Sequence, residues 1–313
     1  MSRAPHPDRR FVSVGQFMTD VVAALPGPLR EGTDTPADVR VMGGGAAANT
    51  AAWLAHDGNR TTFAGRIGDD LLGRAGRMEL EGCGVDCALA VDPLRPTGTC
   101  IVLVMPDGER TMVPDPGANE ALTPQDLSDD LFASGRHLHL SGYLLMVDSS
   151  RMAGLSALDR ARLRAMTTSV DVASVGPLLD TGAARFLSWV SGVDVLLANE
   201  EEAALLAGLP VPRHDETLDV ALEGARLAAR QLVGTATTVV VKLGSRGSLV
   251  IDTVLGEAYA PAVPVDVVDT TGAGDAFAAG FLPAWCDGVD LETALGRGNR
   301  AAARVVGRVG ARP

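Results

Sequence analysis

Residues 269–277 of the chain read DTTGAGDAF, a turn-forming stretch between two apolar segments. The preceding segment, VPVDVVD (263–269), predicts a strand, and the following one, AFAAGFLPAW (276–285), has the apolar spacing of a helix. Residues 270–274 are therefore predicted to form a turn that leads into a helix N-terminus. Because glycine lets the backbone approach a ligand and unpaired N–H groups favour negative charge, this turn predicts an anion site.

Asp275 directly follows this turn and falls in the first turn of the predicted helix. There its carboxylate is placed to accept a proton from an attacking hydroxyl, while backbone amides neutralise charge on a transferred phosphoryl group. The alternative is that Gly272 and Gly274 only form a tight turn and that Asp275 caps the helix. These residues alone leave both interpretations open.

Outside this stretch, short apolar segments alternate with longer amphipathic ones. The short segments are rich in β-branched residues and bounded by Gly, Asp or Asn, so they predict strands at residues 11–15, 61–65, 137–141, 167–171, 194–198 and 238–244. The longer segments have apolar residues three and four positions apart and predict helices at residues 46–58, 71–84, 150–165, 218–234, 274–288 and 291–310. This alternation predicts an α/β fold with a mainly parallel sheet and helices on both faces.

Two regions, residues 19–42 and 97–114, depart from the alternation because they contain strand-like segments joined by turns without helices. Within the second region, PDGER (106–110) is predicted to be the tip of a hairpin. We interpret the two regions as a small β-sheet lid inserted into a single α/β domain of residues 1–313. A small sheet of this kind leaves an apolar face in water unless something covers it, so we expect a homodimer joined through the lid.

The composition of the 313-residue chain limits its partners. With 27 basic and 39 acidic residues the net charge is −12, which argues against a nucleic-acid or anionic-membrane surface and favours a small-molecule partner. No apolar run approaches the ~18 residues that a membrane span needs, so we expect a cytoplasmic protein. The four cysteines form no Cys-x-x-Cys pair and are expected to be reduced packing residues.

Several motifs together resemble the ribokinase-like, or PfkB, carbohydrate kinase family. DTTGAGDAF matches the family's C-terminal signature, and GGGAAANTAAWLAHDG (43–58), followed by GRIGDDLLG (65–73), is similar to its N-terminal one. Other similar segments are VGQFMTD (14–20), ANEEEAALLAG (198–208), VVVKLGSRGSLV (239–250) and GNRAAARVVGRVGA (298–311). The resemblance covers nearly the whole chain, and it implies a three-layer α/β/α fold with a small β-sheet lid.

This resemblance implies an ATP-dependent phosphotransferase that moves the γ-phosphate to a hydroxyl, expected to be a primary CH₂OH, of a sugar or sugar-like molecule. Asp275 would be the general base, with backbone amides of Gly272, Ala273 and Gly274 on the transferred phosphate. The acceptor's hydroxyls would be held by Asp20, Gly44, Gly45 and Asn49. Without the family pattern, a turn role for Asp20 and a helix-cap role for Asn49 would be favoured.

The resemblance also implies a nucleotide and metal site. Asn199 and Glu202 would organise Mg²⁺ and phosphate through water, although the same two residues also fit a capped helix. The nucleotide would contact Lys242, Gly244, Ser245, Gly247 and Asn299. The family often has threonine at the position of Lys242, and a lone strand lysine can also extend toward solvent. A K⁺ site near Asp269 and Thr271 is an open alternative.

Two departures from the family bear on the acceptor. Ribokinases carry a lysine where this chain has Ala46, and a glutamate after the strand that here leads into Gly142 and Tyr143. Both departures weaken an assignment to ribose, so a sugar, a sugar acid or a nucleoside all remain candidate acceptors. The alternative from a different class is a catalytically silent sugar-binding or regulatory protein on the same fold, against which the intact Asp275 argues.

Overall fold

The computed structural model describes residues 9–106, 110–213 and 216–313, which form two β-sheets surrounded by helices. The strands are β1 (Arg10–Val14), β2 (Met18–Ala24), β3 (Asp38–Gly44), β4 (Arg60–Gly68), β5 (Asp86–Asp92), β6 (Thr99–Val104), β7 (Arg110–Asp115), β8 (His137–Ser141), β9 (Thr167–Asp171), β10 (Val193–Asn199), β11 (Ala236–Lys242), β12 (Ser248–Asp252) and β13 (Gly256–Ala260). The helices are α1 (Ala46–His56), α2 (Leu71–Gly82), α3 (Tyr143–Met146), α4 (Arg151–Leu163), α5 (Val175–Thr181), α6 (Ala183–Val190), α7 (Glu200–Ala207), α8 (Leu218–Leu232), α9 (Ala273–Cys286) and α10 (Leu291–Val306). Within these three ranges, no helix is both long and apolar enough to cross a membrane.

The larger sheet has nine strands in the order β13-β12-β11-β10-β9-β8-β1-β4-β5. The seven strands from β11 to β5 are parallel to their neighbours, and β12 and β13 add an antiparallel edge. This confirms the predicted mainly parallel sheet. The strand order runs outward in both directions from the β1–β8 pair, a topological switch of the kind at which open α/β sheets bind ligands beside the carboxyl ends of their strands.

Both faces of the larger sheet are covered, as the continuous apolar strands require. Along β10, Leu196 and Ala198 pack into one hydrophobic cluster, while Val195 and Leu197 pack into another. The first cluster also contains buried side chains of α4, α6, α7 and α8, and the second contains those of α1, α9 and α10. Because successive side chains of a strand point to opposite faces, the sheet forms the middle of three layers.

The smaller sheet is the predicted lid, with strand order β3-β2-β6-β7. Its four strands come from the two regions that lacked a helical pattern. β6 and β7 pair antiparallel, with Val104 opposite Arg110, as expected for the predicted hairpin. Residues 107–109 of the hairpin tip lie outside the described residues.

One predicted strand is wrong. Residues 263–269 run without regular strand structure after β13, the edge strand that ends at Ala260. Pro261 and Pro264 lack the N–H group that a sheet ladder needs, so the chain leaves the sheet here. Three valines of this segment, Val263, Val265 and Val267, instead line a cavity.

Candidate active site

Three neighbouring parallel strands end in polar residues at the same edge of the larger sheet. β9 ends at Asp171, β10 at Asn199 and β11 at Lys242. The register places Asn199 opposite Lys242, while Asp171 is opposite Leu197, two residues before Asn199, so the three strands end close to one another. This is the edge at which α/β sheets carry their functional residues.

The turn before α9 has the backbone that the sequence predicts. Gly272 is the N-cap of α9 and has φ +78°, a left-handed conformation. A Cβ at this position would lie 2.8 Å from the Cα atom of Ala311, so both the conformation and the close approach require glycine. The first N–H groups of α9 have no partner within the helix, although that of Ala273 donates to the Thr270 carbonyl at 3.3 Å, and such N–H groups suit the turn to an anion.

Asp275 lies in the first turn of α9 and faces Asn49 of α1. The Asn49 Nδ2 atom donates a hydrogen bond to Asp275 Oδ2 at 2.9 Å. Desolvation by the surrounding protein raises the pKa of Asp275 to about 7, against the opposing effect of the Asn49 hydrogen bond. A carboxylate with a pKa near the working pH is suited to accept a proton from a hydroxyl.

The predicted acceptor residues converge from the lid and from α1. The carboxylate of Asp20, on lid strand β2, packs against Gly44, where an added Cβ would lie 2.3 Å from Asp20 Oδ1. Gly45, the N-cap of α1, has φ +91°. Burial raises the pKa of Asp20 to about 6, although the charge of Arg312 opposes this shift. The lid therefore supplies one wall of the site.

Arg312 is a site residue that the sequence analysis missed. Its Nε atom donates to Asn49 Oδ1 at 3.1 Å, and its Nη2 atom donates to the Gly44 carbonyl at 2.7 Å. Because the oxygen of the Asn49 amide faces the guanidinium, its nitrogen is turned toward Asp275. Arg312 lies 263 positions after Asn49, and no local motif connects the two residues.

A buried group of charges lies beside the α9 turn. The Lys242 Nζ atom is 2.6 Å from Asp171 Oδ2, and Asp171 is the second residue that the sequence analysis missed. Glu202 is 2% exposed, and burial raises its pKa to about 7 while the nearby Lys242 lowers it. The only sequence signal for Asp171 was the strand pattern that ends at this residue.

Asn199 and Glu202 form a capping box, which agrees with the alternative that these two residues cap a helix. Asn199 Oδ1 accepts a hydrogen bond from the Glu202 N–H at 2.8 Å, and Glu202 Oε2 accepts one from the Asn199 N–H at 2.8 Å. Among the described residues no group of three or more His, Cys, Asp or Glu side chains forms a metal cage. Mg²⁺ commonly binds proteins through one or two carboxylates with water and substrate phosphates, and Glu202 beside Asp171 fits that pattern.

A cavity of about 610 Å³ opens beside the turn and is lined by all five residues that were predicted to contact the nucleotide. Its lining residues are Lys242, Gly244, Ser245, Gly247, Ala262, Val263, Pro264, Val265, Val267, Thr270, Ala273, Gly274, Phe277, Asn299, Ala302, Ala303 and Val306. Asn199 is not among them. The mixture of apolar wall and glycine turns suits a flat base with an attached phosphate chain.

Asn299 lines this cavity, but the polar atoms of its side chain form hydrogen bonds with other residues of the protein. Its Oδ1 atom accepts from the Ser248 hydroxyl at 3.0 Å, and its Nδ2 atom donates to the Ala260 and Pro261 carbonyls at 3.0 and 2.9 Å. Asn299 therefore holds the end of β13 and the start of the following segment as a wall of the cavity.

Asp269 has more partners than the sequence analysis anticipated. Its Oδ1 atom accepts from the Thr271 N–H and hydroxyl at 2.9 and 2.7 Å, and its Oδ2 atom accepts from the Gly310 N–H at 3.0 Å. Arg110 of lid strand β7 forms an ion pair with Oδ1 at 2.7 Å and donates to Thr270 Oγ1 at 2.9 Å. The lid is thereby connected to the turn that precedes α9.

A comparison with known families agrees with this geometry. The profile of the pfkB family carbohydrate kinases matches residues 8–313. The chain belongs to the pfkB family of carbohydrate kinases. The family and fold implied by the signature motifs are confirmed, and the reaction of this carbohydrate kinase is ATP-dependent phosphoryl transfer to a sugar hydroxyl.

Similar proteins include kinases for more than one class of acceptor. This carbohydrate kinase is 33% identical over 305 residues to an ATP-dependent ribose-1-phosphate kinase of Halopiger xanaduensis, covering 97% of this chain and 94% of the relative. An adenosine kinase structure from Sinorhizobium meliloti has a TM-score of 0.82 at 28% identity, covering 98% and 96% of the two chains. The Salmonella enterica aminoimidazole riboside kinase, in complex with aminoimidazole riboside and an ATP analogue, has a TM-score of 0.77 at 26% identity, covering 97% and 95%.

Proposed function

We propose that this carbohydrate kinase transfers the γ-phosphoryl group of ATP to a primary CH₂OH of a small polyol or nucleoside, with Asp275 as the general base. The observation that carries the proposal is the position of Asp275, which lies in the first turn of α9, next to the anion-binding turn and hydrogen-bonded to Asn49. A carboxylate that served only to cap α9 would accept from a backbone N–H of its first turn, whereas the Asp275 carboxylate accepts from the Asn49 side chain.

In the proposed reaction, the acceptor hydroxyl oxygen attacks the γ-phosphorus and forms a new P–O bond. The bond between that phosphorus and the β,γ-bridging oxygen breaks, and ADP leaves with the bond's electron pair. The hydroxyl proton passes to Asp275, and amides of Gly272, Ala273 and Gly274 stabilise the charge on the moving phosphoryl group. Electrostatics and positioning therefore supply most of the catalysis.

Mg²⁺ is part of the proposal, because a divalent cation neutralises charge on the phosphates during transfer. Glu202 would hold it through water, with Asn199 positioning the Glu202 carboxylate by the capping box. The K⁺ site near Asp269 and Thr271 is not part of the proposal. The Asp269 carboxylate already accepts three hydrogen bonds and pairs with Arg110, which supplies the positive charge.

The acceptor site favours a molecule with neighbouring hydroxyls. A carboxylate such as Asp20 can accept from two hydroxyls, and an amide such as Asn49 can both accept and donate. One Asn49 donor is used by Asp275 and its oxygen by Arg312. Asp20 is therefore the residue best placed to distinguish polyols from molecules that lack a hydroxyl pair.

An acceptor panel tests the proposed function directly. Ribose, ribose 1-phosphate, adenosine and aminoimidazole riboside would each be incubated with ATP and Mg²⁺, and ADP release would be measured against the rate with water alone. We expect at least one acceptor to raise ADP release and to gain one phosphate by mass spectrometry. If acceptors bind yet none is phosphorylated, the chain is a silent sugar-binding protein instead.

We propose a cytoplasmic location for the enzyme, because the reaction consumes ATP and because the cysteines form no disulfide. All four of them, Cys83, Cys87, Cys100 and Cys286, lie in the described ranges as free thiols. Recovery of the protein with an extracytoplasmic marker after cell fractionation would contradict this location.

The outer face of the lid supports the proposed homodimer. Val41, Val21, Ile101 and Val113 are directly opposite one another across the four strands, so they form one apolar row that we call the lid row. Val41, Ile101 and Val113 are 63%, 47% and 54% exposed. The opposite face carries Asp20 toward the site. An apolar row across a whole sheet is a surface that a second copy can cover.

Replacing Ile101 with Glu is expected to convert the dimer into a monomer, because a charge at the centre of the lid row would lose its water when a partner covers it. Light scattering coupled to gel filtration at micromolar concentration measures the mass, which should fall to that of one 32.3 kDa chain. Leu163→Glu is the matched control, since Leu163 is 84% exposed on α4. A wild-type chain that is already monomeric would rule out the dimer.

A further inference from the structure

Lys242 is the single lysine of a chain that has 27 basic residues, so every other basic residue is arginine. Its ammonium lies inside the site, at the end of β11, with its side chain 16% exposed. Lysine carries a compact charge on a flexible stem, whereas arginine has a rigid planar fork. A group that must move between two partners is better served by lysine.

The Lys242 ammonium is within reach of two different anions. It forms the 2.6 Å contact with Asp171 Oδ2 described above. On another side it lies against the first turn of α9, where a Cβ added to Gly274 would be 3.1 Å from Nζ. Lys242 and Gly274 both line the 610 Å³ cavity. A phosphoryl group bound at the α9 amides would therefore be a neighbour of this ammonium.

Acidic side chains surround Lys242 before any ligand binds. Burial lowers the pKa of Lys242, but the carboxyl groups of Asp171, Glu202 and Asp275 together raise it. A triphosphate adds several negative charges to the same place, so the nearest cation gains a stronger partner than Asp171.

We propose that Lys242 is a catalytic residue that leaves Asp171 and binds the transferred phosphoryl group when ATP enters the site. This inference rests on the proposed use of ATP. The competing explanation is that Lys242 is a permanent partner of Asp171 and only stabilises the fold. The two explanations differ in whether the loss of Lys242 affects ATP more than ADP.

The experiment measures the affinities for ATP and for ADP, each with Mg²⁺ and without acceptor, by isothermal titration calorimetry. For Lys242→Met we expect ATP affinity to fall on the order of 10- to 100-fold, the range for a hydrogen bond to a charged group. ADP, which lacks the transferred group, should lose about threefold or less. Equal losses for both nucleotides would overturn the inference.

A double variant separates this effect from stability. Lys242→Met leaves the Asp171 carboxylate buried without its cation, so the melting temperature should fall. Adding Asp171→Asn removes that charge and should restore the melting temperature, yet the preference for ATP over ADP should stay lost. A double variant that regains the preference would show that Lys242 acts only through Asp171.

Arg246→Met is the matched control, because Arg246 pairs with Glu200 and does not line the cavity. It should lower the melting temperature without changing the ratio of the two affinities. If the wild-type enzyme binds neither nucleotide, the proposed function fails rather than the role of Lys242. If the wild-type enzyme binds both nucleotides and Lys242→Met keeps the wild-type ratio of ATP affinity to ADP affinity, the inference alone is wrong.

Discussion

Asp275→Asn is expected to lower kcat by about 100-fold or more, the range for losing a general base. The amide retains the shape of the carboxylate and the first turn of α9, but it cannot accept the hydroxyl proton. ATP affinity should change little, because the predicted phosphate contacts are backbone amides of the preceding turn. Single-turnover measurement of product formation with a confirmed acceptor gives the rate of the chemical step. A variant that keeps near-normal turnover would contradict the assignment of Asp275.

The pH dependence gives an independent test of the same residue. Burial raises the pKa of Asp275 to about 7, and the deprotonated form is the base. At saturating acceptor, the wild-type kcat should therefore rise with pH through a pKa near 7, and this dependence should disappear from the residual kcat of Asp275→Asn. An acid limb near pH 4 would indicate that Asp275 has an ordinary pKa.

Asp275→Asn should not destabilise the enzyme at alkaline pH. Because the pKa of Asp275 is higher in the folded state than its usual 3.8, the native state holds the proton more tightly than the unfolded chain. The stability linked to this proton is full below pH 3.8 and is lost as the pH rises through about 7. At pH 8 the variant should melt at or above the wild-type temperature, whereas a large decrease would point to a structural role.

Asp20→Ala is expected to raise the KM for the acceptor by about 10- to 100-fold while leaving the KM for ATP nearly unchanged, since hydrogen bonds to a charged group are worth roughly 1.5–3 kcal/mol. Asp20 lies on lid strand β2, contacts the bare backbone of Gly44 and does not line the nucleotide cavity. Initial-rate kinetics with both substrates varied separate the two constants. Equal effects on both substrates would mean that Asp20 supports folding.

Two variants refine this acceptor test. Asp38→Ala is the control, because Asp38 is an exposed aspartate of lid strand β3 that pairs with Arg40. Asn49→Ala should raise the acceptor KM and also lower kcat, because the Asn49 amide donates to Asp275 as well. Burial raises the pKa of Asp20 to about 6, so the acceptor KM should increase as the pH falls through 6.

The sequence predicted the parts of the fold whose signals are local. The turn at Gly272, six of the nine strands of the larger sheet and the lid follow from patterns within about ten residues, whereas β5, β12 and β13 were not predicted. Helices α5 and α6 were missed because Gly176, Pro177 and Gly182 interrupt their short apolar spacing. Residues 263–269 were assigned to a strand because their alternating valines have strand periodicity, although neighbouring prolines exclude pairing.

The residues missed in the site have no local signal. Asp171 is 71 positions from Lys242, and Arg312 is 263 positions from Asn49. Each contact depends on which strand ends and which loops the fold brings together, and a single sequence does not show this. By contrast, the predicted residues at the starts of α1 and α9, such as Gly45, Asn49, Gly272 and Asp275, belong to motifs in which glycine requirements leave a mark in the sequence.

The contact between Asn49 and Arg312 also sets when the site can exist during synthesis. At about 5–20 residues per second, a ribosome needs roughly 13–50 s to make the intervening segment. For most of that time α9 and α10 have not been made, so Trp53 lacks the apolar side chains of these two helices with which it packs. The nascent chain therefore exposes Trp53 until its C-terminal helices are made, and transiently exposed apolar surface of this kind promotes aggregation.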